Sequence, residues 1–263
     1  MAGTAMYGLN SKSGPSPGLW GLAPRDIFYD PAVAFGYYED FIEWMPLTAG
    51  AESDHIKGWQ EFGSTGATGV LEVDEQGGMF SLASDGDDEG ASISSEVLPF
   101  RISKTLPDLY FECRLKSSTI ANTKHGIVVG LMDGTAISAT VPIAADGTLA
   151  DANFVGFHRL EADGDTFDTI YKANTVAVVT VKADATTIVA DTYVKLGFRA
   201  HRGTLTYFVN GVPLTDTKAI PDATGTDFPA DVNLGPVAAV LNATATTPGD
   251  TTIDWIICKQ LRA

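Results

Sequence analysis

Apolar and polar residues alternate with a period of two along much of this chain. From Tyr193 onward, Val194, Leu196, Phe198 and Ala200 fall on one side, with Lys195, Gly197 and Arg199 on the other. That spacing predicts a half-buried antiparallel strand. His201-Arg202-Gly203-Thr204 turns the chain into a second strand, with Leu205, Tyr207 and Val209 on one face and Thr206 and Phe208 on the other. Asn210-Gly211 predicts a tight type I′ turn, whose two central residues both need positive φ. The result is a meander. Leu109 to Lys116 repeats the alternation, with Leu109, Phe111, Cys113 and Leu115 inward and Tyr110, Glu112, Arg114 and Lys116 outward. Gly126 to Met132 is unbroken in its apolarity and rich in β-branched residues, the signature of a strand buried on both faces.

Further strands are predicted at 37–44, 58–62, 69–73, 78–82, 154–160, 169–171, 176–182, 236–241 and 252–259, with Gly- and Asp-rich turns between several of them. No stretch has the periodicity of an amphipathic helix. Some dozen short strands without helices predict an all-β sandwich or barrel. Strand spacing is continuous, so residues 37–263 read as one domain, with no internal repeat.

Residues 1–36 differ. Ten Gly and Pro residues rule out long helices or central strands there. Yet Leu19, Trp20, Leu22, Ile27, Phe28 and Tyr29 are too apolar for a solvated linker. The segment reads as an extended arm that lies on something. Those six residues are expected to bind a neighbouring subunit; the alternative is an arm folded back across its own sandwich.

Charge narrows the partners. With 33 acidic and 17 basic residues the net charge is -16, which argues against nucleic acid and anionic membranes, since both demand a basic patch. No apolar run reaches the ~20 residues that span a bilayer. The first residues lack a basic region followed by an apolar core, so no secretory leader is expected. The two cysteines, Cys113 and Cys258, fall in predicted strands and read as small buried hydrophobes.

Three segments resemble the concanavalin-like jelly roll of legume lectins, laminin G-type modules and β-glucanases. Glu39-Asp40-Phe41 is similar to the opening strand of that fold. The pair running from Tyr193 through Leu205 to Asn210-Gly211-Val212 is similar to its adjoining hairpin, and Ile253-Asp254-Trp255-Ile256-Ile257 to its closing strand. The resemblance implies that the segment at Ile253 to Cys258 pairs with that near Tyr38 to Trp44. It also implies a test for catalysis, because the β-glucanases carry paired carboxylates as Glu-x-Asp-x-Glu or Glu-x-Asp-x-x-Glu on one strand. The near match here, Glu72-Val73-Asp74-Glu75-Gln76-Gly77, puts Gln76 or Gly77 where the second glutamate belongs. It also lies earlier in the chain than the catalytic strand of that family. Neither residue can attack or donate a proton, so no glycosidase activity and no catalytic residue is expected.

Other chemistry is sparse. His55, His125, His158 and His201 are dispersed, and His158 beside Phe157 reads as a packed strand histidine. The loops Asp163-Gly164-Asp165-Thr166-Phe167-Asp168 and Asp85-Gly86-Asp87-Asp88-Glu89 could gather oxygens around Ca²⁺, but they lack the spacing of an EF-hand and read as solvated acidic turns. No metal or other cofactor is expected. These features favour a non-enzymatic structural protein of a virion, assembled in the host cytoplasm. Its style is that of a capsid decoration, cement or fibre-associated protein of a tailed bacteriophage. It would form a homo-oligomer or dock on capsid or other virion subunits through the arm. The alternative is a carbohydrate-binding, lectin-like module, with Trp20, Trp59, Tyr171, Asn174 and Asn242 available to a glycan.

Overall fold

A computed structural model describes residues 13–42, 53–54, 58–63, 68–72, 78–83, 86, 89–121, 125–134, 149–160, 163–222, 227–242 and 249–263. One short helical turn, α1 (Pro17–Trp20), precedes the strands. In chain order these begin with β1 (Ala34–Glu39), β2 (Ser53–Asp54), β3 (Trp59–Gly63), β4 (Thr68–Leu71), β5 (Phe80–Ala83) and β6 (Glu89–Ser95). Next come β7 (Phe100–Arg101), β8 (Leu109–Ser117), β9 (Gly126–Met132), β10 (Phe154–Arg159), β11 (Thr166–Lys172) and β12 (Val179–Thr187). The meander β13 (Val194–His201), β14 (Thr204–Val209) and β15 (Val212–Ala219) follows, and β16 (Asn233–Asn242) and β17 (Thr251–Leu261) close the chain.

Two antiparallel sheets result. The first runs β15-β14-β13-β8-β17-β5-β4, with β1 also paired to β17; the second runs β12-β11-β10-β9-β16-β6-β3-β2, with β7 on β16. The expected joining of the chain ends is present: Tyr37 lies opposite Cys258 and Tyr38 opposite Ile257. β1 starts at Ala34, so it takes in residues the sequence assigned to the arm, and it stops at Glu39, ahead of Phe41 in a left-handed conformation (φ 56°). Of the predicted segment 37–44, residues 43–44 lie outside the described residues.

Between the sheets, the inward sides of β8, β13 and β14 meet those of β9, β10 and β11. Phe111 stacks on Phe198 at 5.0 Å, and Phe157 meets the Tyr207 ring edge-on at 5.4 Å. The buried Tyr207 hydroxyl donates across the sandwich to the Ile170 carbonyl at 2.7 Å, which satisfies a phenol that would otherwise be costly to bury. Both cysteines are free and buried in this core. The turn Asn210-Gly211 has φ of 50° and 77°, as a type I′ hairpin requires.

A second core lies outside the sandwich. Leu19, Trp20 and Ile27 are buried against Tyr110, Phe208, Trp255 and Ile257, the outward side of the first sheet. Gly18 approaches the 210–211 turn so closely that a Cβ would run into the Gly211 carbonyl. Gly18→Ala will therefore lift the arm and lower stability by roughly 1–3 kcal/mol. An unchanged urea midpoint would mean that the arm is not seated on this turn.

Candidate functional site

Tyr110 and Glu112 occupy outward positions of β8, as their alternation predicts, yet both are buried. The arm covers them. Glu112 Oε2 accepts hydrogen bonds from the Ser16 backbone N–H (3.0 Å) and from Trp20 Nε1–H (2.8 Å). Lys195, also on the outward side, donates to the Gly14 carbonyl, and Trp255 Nε1–H donates to the Ser13 carbonyl at 2.8 Å. Burial raises the Glu112 pKa against these hydrogen bonds and the nearby Lys195 charge, which lower it. Trp20 stacks on Tyr110 at 5.7 Å and packs on Phe28 at 4.9 Å. Pro17 starts the helical turn where its missing N–H costs nothing, and the turn swings Leu19 and Trp20 onto the sheet.

The six arm residues thus divide. Leu19, Trp20 and Ile27 are spent on this chain's own sheet, and Phe28 is partly buried beside them. Leu22 and Tyr29 are exposed, at 50% and 75%.

The residues considered for a sugar platform do not gather. Trp20 and Trp59 are core side chains, and Asn242 is buried with its Oδ1 2.7 Å from His125 Nδ1. The Tyr171 hydroxyl donates to Asp227 at 2.9 Å and accepts from Lys218 Nζ at 2.6 Å. Asn174 alone lies on an exposed rim, and there the fold supplies neighbours that sequence spacing could not reveal. Its backbone N–H donates to Asn153 Oδ1 at 3.0 Å, while Asn153 Nδ2 donates to Asp133 Oδ2 at 2.6 Å.

At the other end of the second sheet, the β10–β11 hairpin draws three titratable side chains together. His158 and Asp168 are direct cross-strand partners. With Asp163 from the connecting turn, their potential ligand atoms all lie within 4.8 Å of one another. Irregular register of β11 against β12 around Thr169 marks a bulge there, and bulges re-aim side chains. Asp168 Oδ1 accepts the Asp184 N–H at 2.8 Å, and Asp163 Oδ2 accepts the Leu160 N–H at 2.9 Å. Burial works against the Asp168 carboxylate, but hydrogen bonds from His158 and Asp184 prevail and hold its pKa below the ordinary value. Beneath the turn, the buried Arg159 guanidinium donates to the carbonyls of Gly164 and Thr119, tying the turn to the strand end at Ser117. The 163–168 turn, read as solvated from sequence, is therefore partly buried and organised.

No described strand carries more than one carboxylate, so none presents a Glu-x-Asp-x-Glu row. Of the near match, Glu72 is exposed, and Val73 to Gly77 lie outside the described residues.

No protein-family model matches this sequence. No curated protein matches it either. Solved structures match in fold. The GH16 endo-β-1,3(4)-glucanase SCLam superposes with a TM-score of 0.57 at 11% identity, over 87% of this chain and 92% of that one. A protein of unknown function from Shewanella oneidensis MR-1 superposes at 0.54 with 15% identity, over 88% and 90%. A GH16 protein of a Bacteroides ovatus mixed linkage glucan PUL, in complex with product, superposes at 0.50 with 14% identity, over 84% and 99%. At these identities the likeness establishes fold. The chain is a concanavalin-like jelly-roll β-sandwich.

Proposed function

We propose that this protein is a non-hydrolytic carbohydrate-binding module. One observation carries the reading: the sandwich aligns over most of its length with a glucanase, while no described strand holds a carboxylate pair. Retaining hydrolysis needs two carboxyls ~5 Å apart on either side of the glycosidic bond, whereas binding needs only amides, carboxylates and a shaped rim. The Asn153 and Asn174 rim, with the buried Asp133 behind it, has that donor and acceptor chemistry, and we assign the glycan to it. A glycan array followed by calorimetry with β-glucan oligosaccharides tests the assignment. Binding should be present in the native chain and at least tenfold weaker in Asn174→Ala, with no reducing sugar released from laminarin or lichenan. An array with no glycan bound refutes binding, and sustained sugar release refutes the non-hydrolytic part.

A second reading is favoured by exposed apolar groups in the arm and in the segment that follows it. Leu22, Tyr29, Tyr38 and Ile42 all stand open to solvent. In this reading the protein is a virion structural subunit, a homo-oligomer or a decoration on other capsid subunits, and these side chains are its contact. Light scattering would show an oligomer that Tyr29→Asp with Tyr38→Asp dissociates. A native chain that stays monomeric and does not bind particles excludes it.

A further inference from the structure

We infer that the β10–β11 hairpin binds one divalent first-row transition-metal ion through His158, Asp163 and Asp168. The inference stands apart from the glycan reading, since the hairpin and the Asn174 rim share no residue.

Geometry comes first. The three ligand atoms all lie within 4.8 Å of one another, so small side-chain adjustments bring them into one coordination sphere. Ligands ~2.1 Å from an ion at a tetrahedral angle stand about 3.4 Å apart. His158 Nε2 and Asp168 Oδ2 are separated by 3.4 Å. That contact is a hydrogen bond at the long end, beyond the usual range of about 2.7–3.2 Å.

The state of the histidine is the independent observation. Its side chain is only 6% exposed, Nε2 faces Asp168, and Nδ1 has no hydrogen-bond partner among the described residues. A buried imidazole with one nitrogen unmet and the other in a long contact is poorly accounted for as a packing residue, because buried polar groups are normally satisfied. An ion between Nε2 and the carboxylates would replace the long Nε2–Asp168 contact with a metal–nitrogen bond and leave Nδ1 to carry the ring proton.

The carboxylates are prepared for the role. Each has one oxygen engaged by a backbone N–H, Asp168 by Asp184 and Asp163 by Leu160, which leaves the other oxygen for a monodentate bond. Fixing a ligand through its second oxygen sets its direction before the ion arrives. Arg159 anchors the turn from beneath through the Gly164 carbonyl. Both aspartates are partly exposed, so an ion and its waters reach the site from solvent.

The donor set selects the metal. Calcium and magnesium take all-oxygen shells, whereas an imidazole with two carboxylates suits Zn²⁺ or Mn²⁺. Three protein ligands leave at least one position for water or a ligand oxygen.

Chelator-treated full-length chain, titrated calorimetrically with ZnCl₂ and separately with MnCl₂, tests the inference. One equivalent should bind with a micromolar or lower Kd for at least one of the two metals, and CaCl₂ should bind at least tenfold more weakly. Asp163→Asn and Asp168→Asn keep side-chain size, and each should weaken binding tenfold or more. Thermal unfolding gives a second readout: the metal should raise the native Tm and leave the Tm of the Asp163→Asn, Asp168→Asn chain unmoved. Weak multi-site binding, binding unchanged in that double variant, or a preference for calcium would each overturn the inference.

Discussion

A chain lacking residues 1–30 will unfold at a much lower denaturant concentration than the full-length protein. The deletion removes Leu19, Trp20 and Ile27, all buried, and bares Tyr110, Phe208, Trp255 and Ile257 beneath them. Each of the three lost side chains contributes roughly 1.5–3 kcal/mol gross, and the entropy of ordering the arm offsets part of it. Glu112 also loses both donors to Oε2, but with the arm gone it is exposed to water, so this change adds little. A net loss of at least about 3 kcal/mol is expected. Trp20→Ala is the graded version and should cost ~3–5 kcal/mol. Leu22→Ala, at an exposed arm position, should stay within ~0.5 kcal/mol of the native chain. Equilibrium urea unfolding of the four chains decides the matter. A deletion with native stability would mean that the arm contributes nothing to its own sheet and is available to a neighbour.

Acid will weaken the fold well above the range of ordinary carboxylates. His125 is fully buried, with Nδ1 2.7 Å from Asn242 Oδ1 and Nε2 2.7 Å from Thr251 Oγ1. Burial lowers its pKa from 6.5 to about 4, with a smaller contribution in the same direction from the Arg159 charge. Between those values the unfolded chain holds a proton that the folded chain does not, so stability falls as pH falls. The contribution is intact above pH 6.5 and lost by about pH 4, amounting to roughly 3 kcal/mol. Asp108 and Asp168, whose pKa values are lowered, add losses in the same sense at lower pH. Glu112 pulls the other way, because its raised pKa favours the folded state as pH falls through its folded value toward 4.5. The comparison that isolates His125 is therefore the native chain against His125→Gln, unfolded in urea at pH 7, 5.5 and 4.5. The native chain should lose stability across the series and the variant much less. Parallel profiles would remove His125 as the cause.

The assembly reading turns on the arm, whereas the lectin-like reading rests on the Asn174 rim. If the protein is a virion subunit, its contact cannot be Trp20 or Leu19 while the arm lies on its own sheet, and Tyr29 and Tyr38 become the groups to test. Burial of both tyrosines' neighbours fixes their backbone, so a partner would meet a surface already ordered.

Much of the sandwich is legible in the order of residues. A period of two states which side of a strand is apolar, so the inward sides of β8, β13 and β14 could be named from the alternation, and the core contains them. Asn210-Gly211 identifies its own turn, because positive φ at both positions is a local requirement. β6 was not legible. Gly90-Ala91-Ser92-Ile93-Ser94-Ser95 has small side chains and little β-propensity, and pairing with β3 and β16 makes it a strand. Alternation also says nothing of what covers the outward side. Glu112 and Lys195 look like wet positions, and only the arm, more than ninety residues away in sequence from Glu112, makes them buried. The β10–β11 site follows the same logic. His158, Asp163 and Asp168 are ordinary residues five apart, and hairpin register with a bulge at Thr169 turns that spacing into proximity. Local sequence determines which faces are apolar and where the chain turns, since those depend on backbone sterics and side-chain hydration. Contacts between distant segments depend on register and docking, which only the folded chain decides.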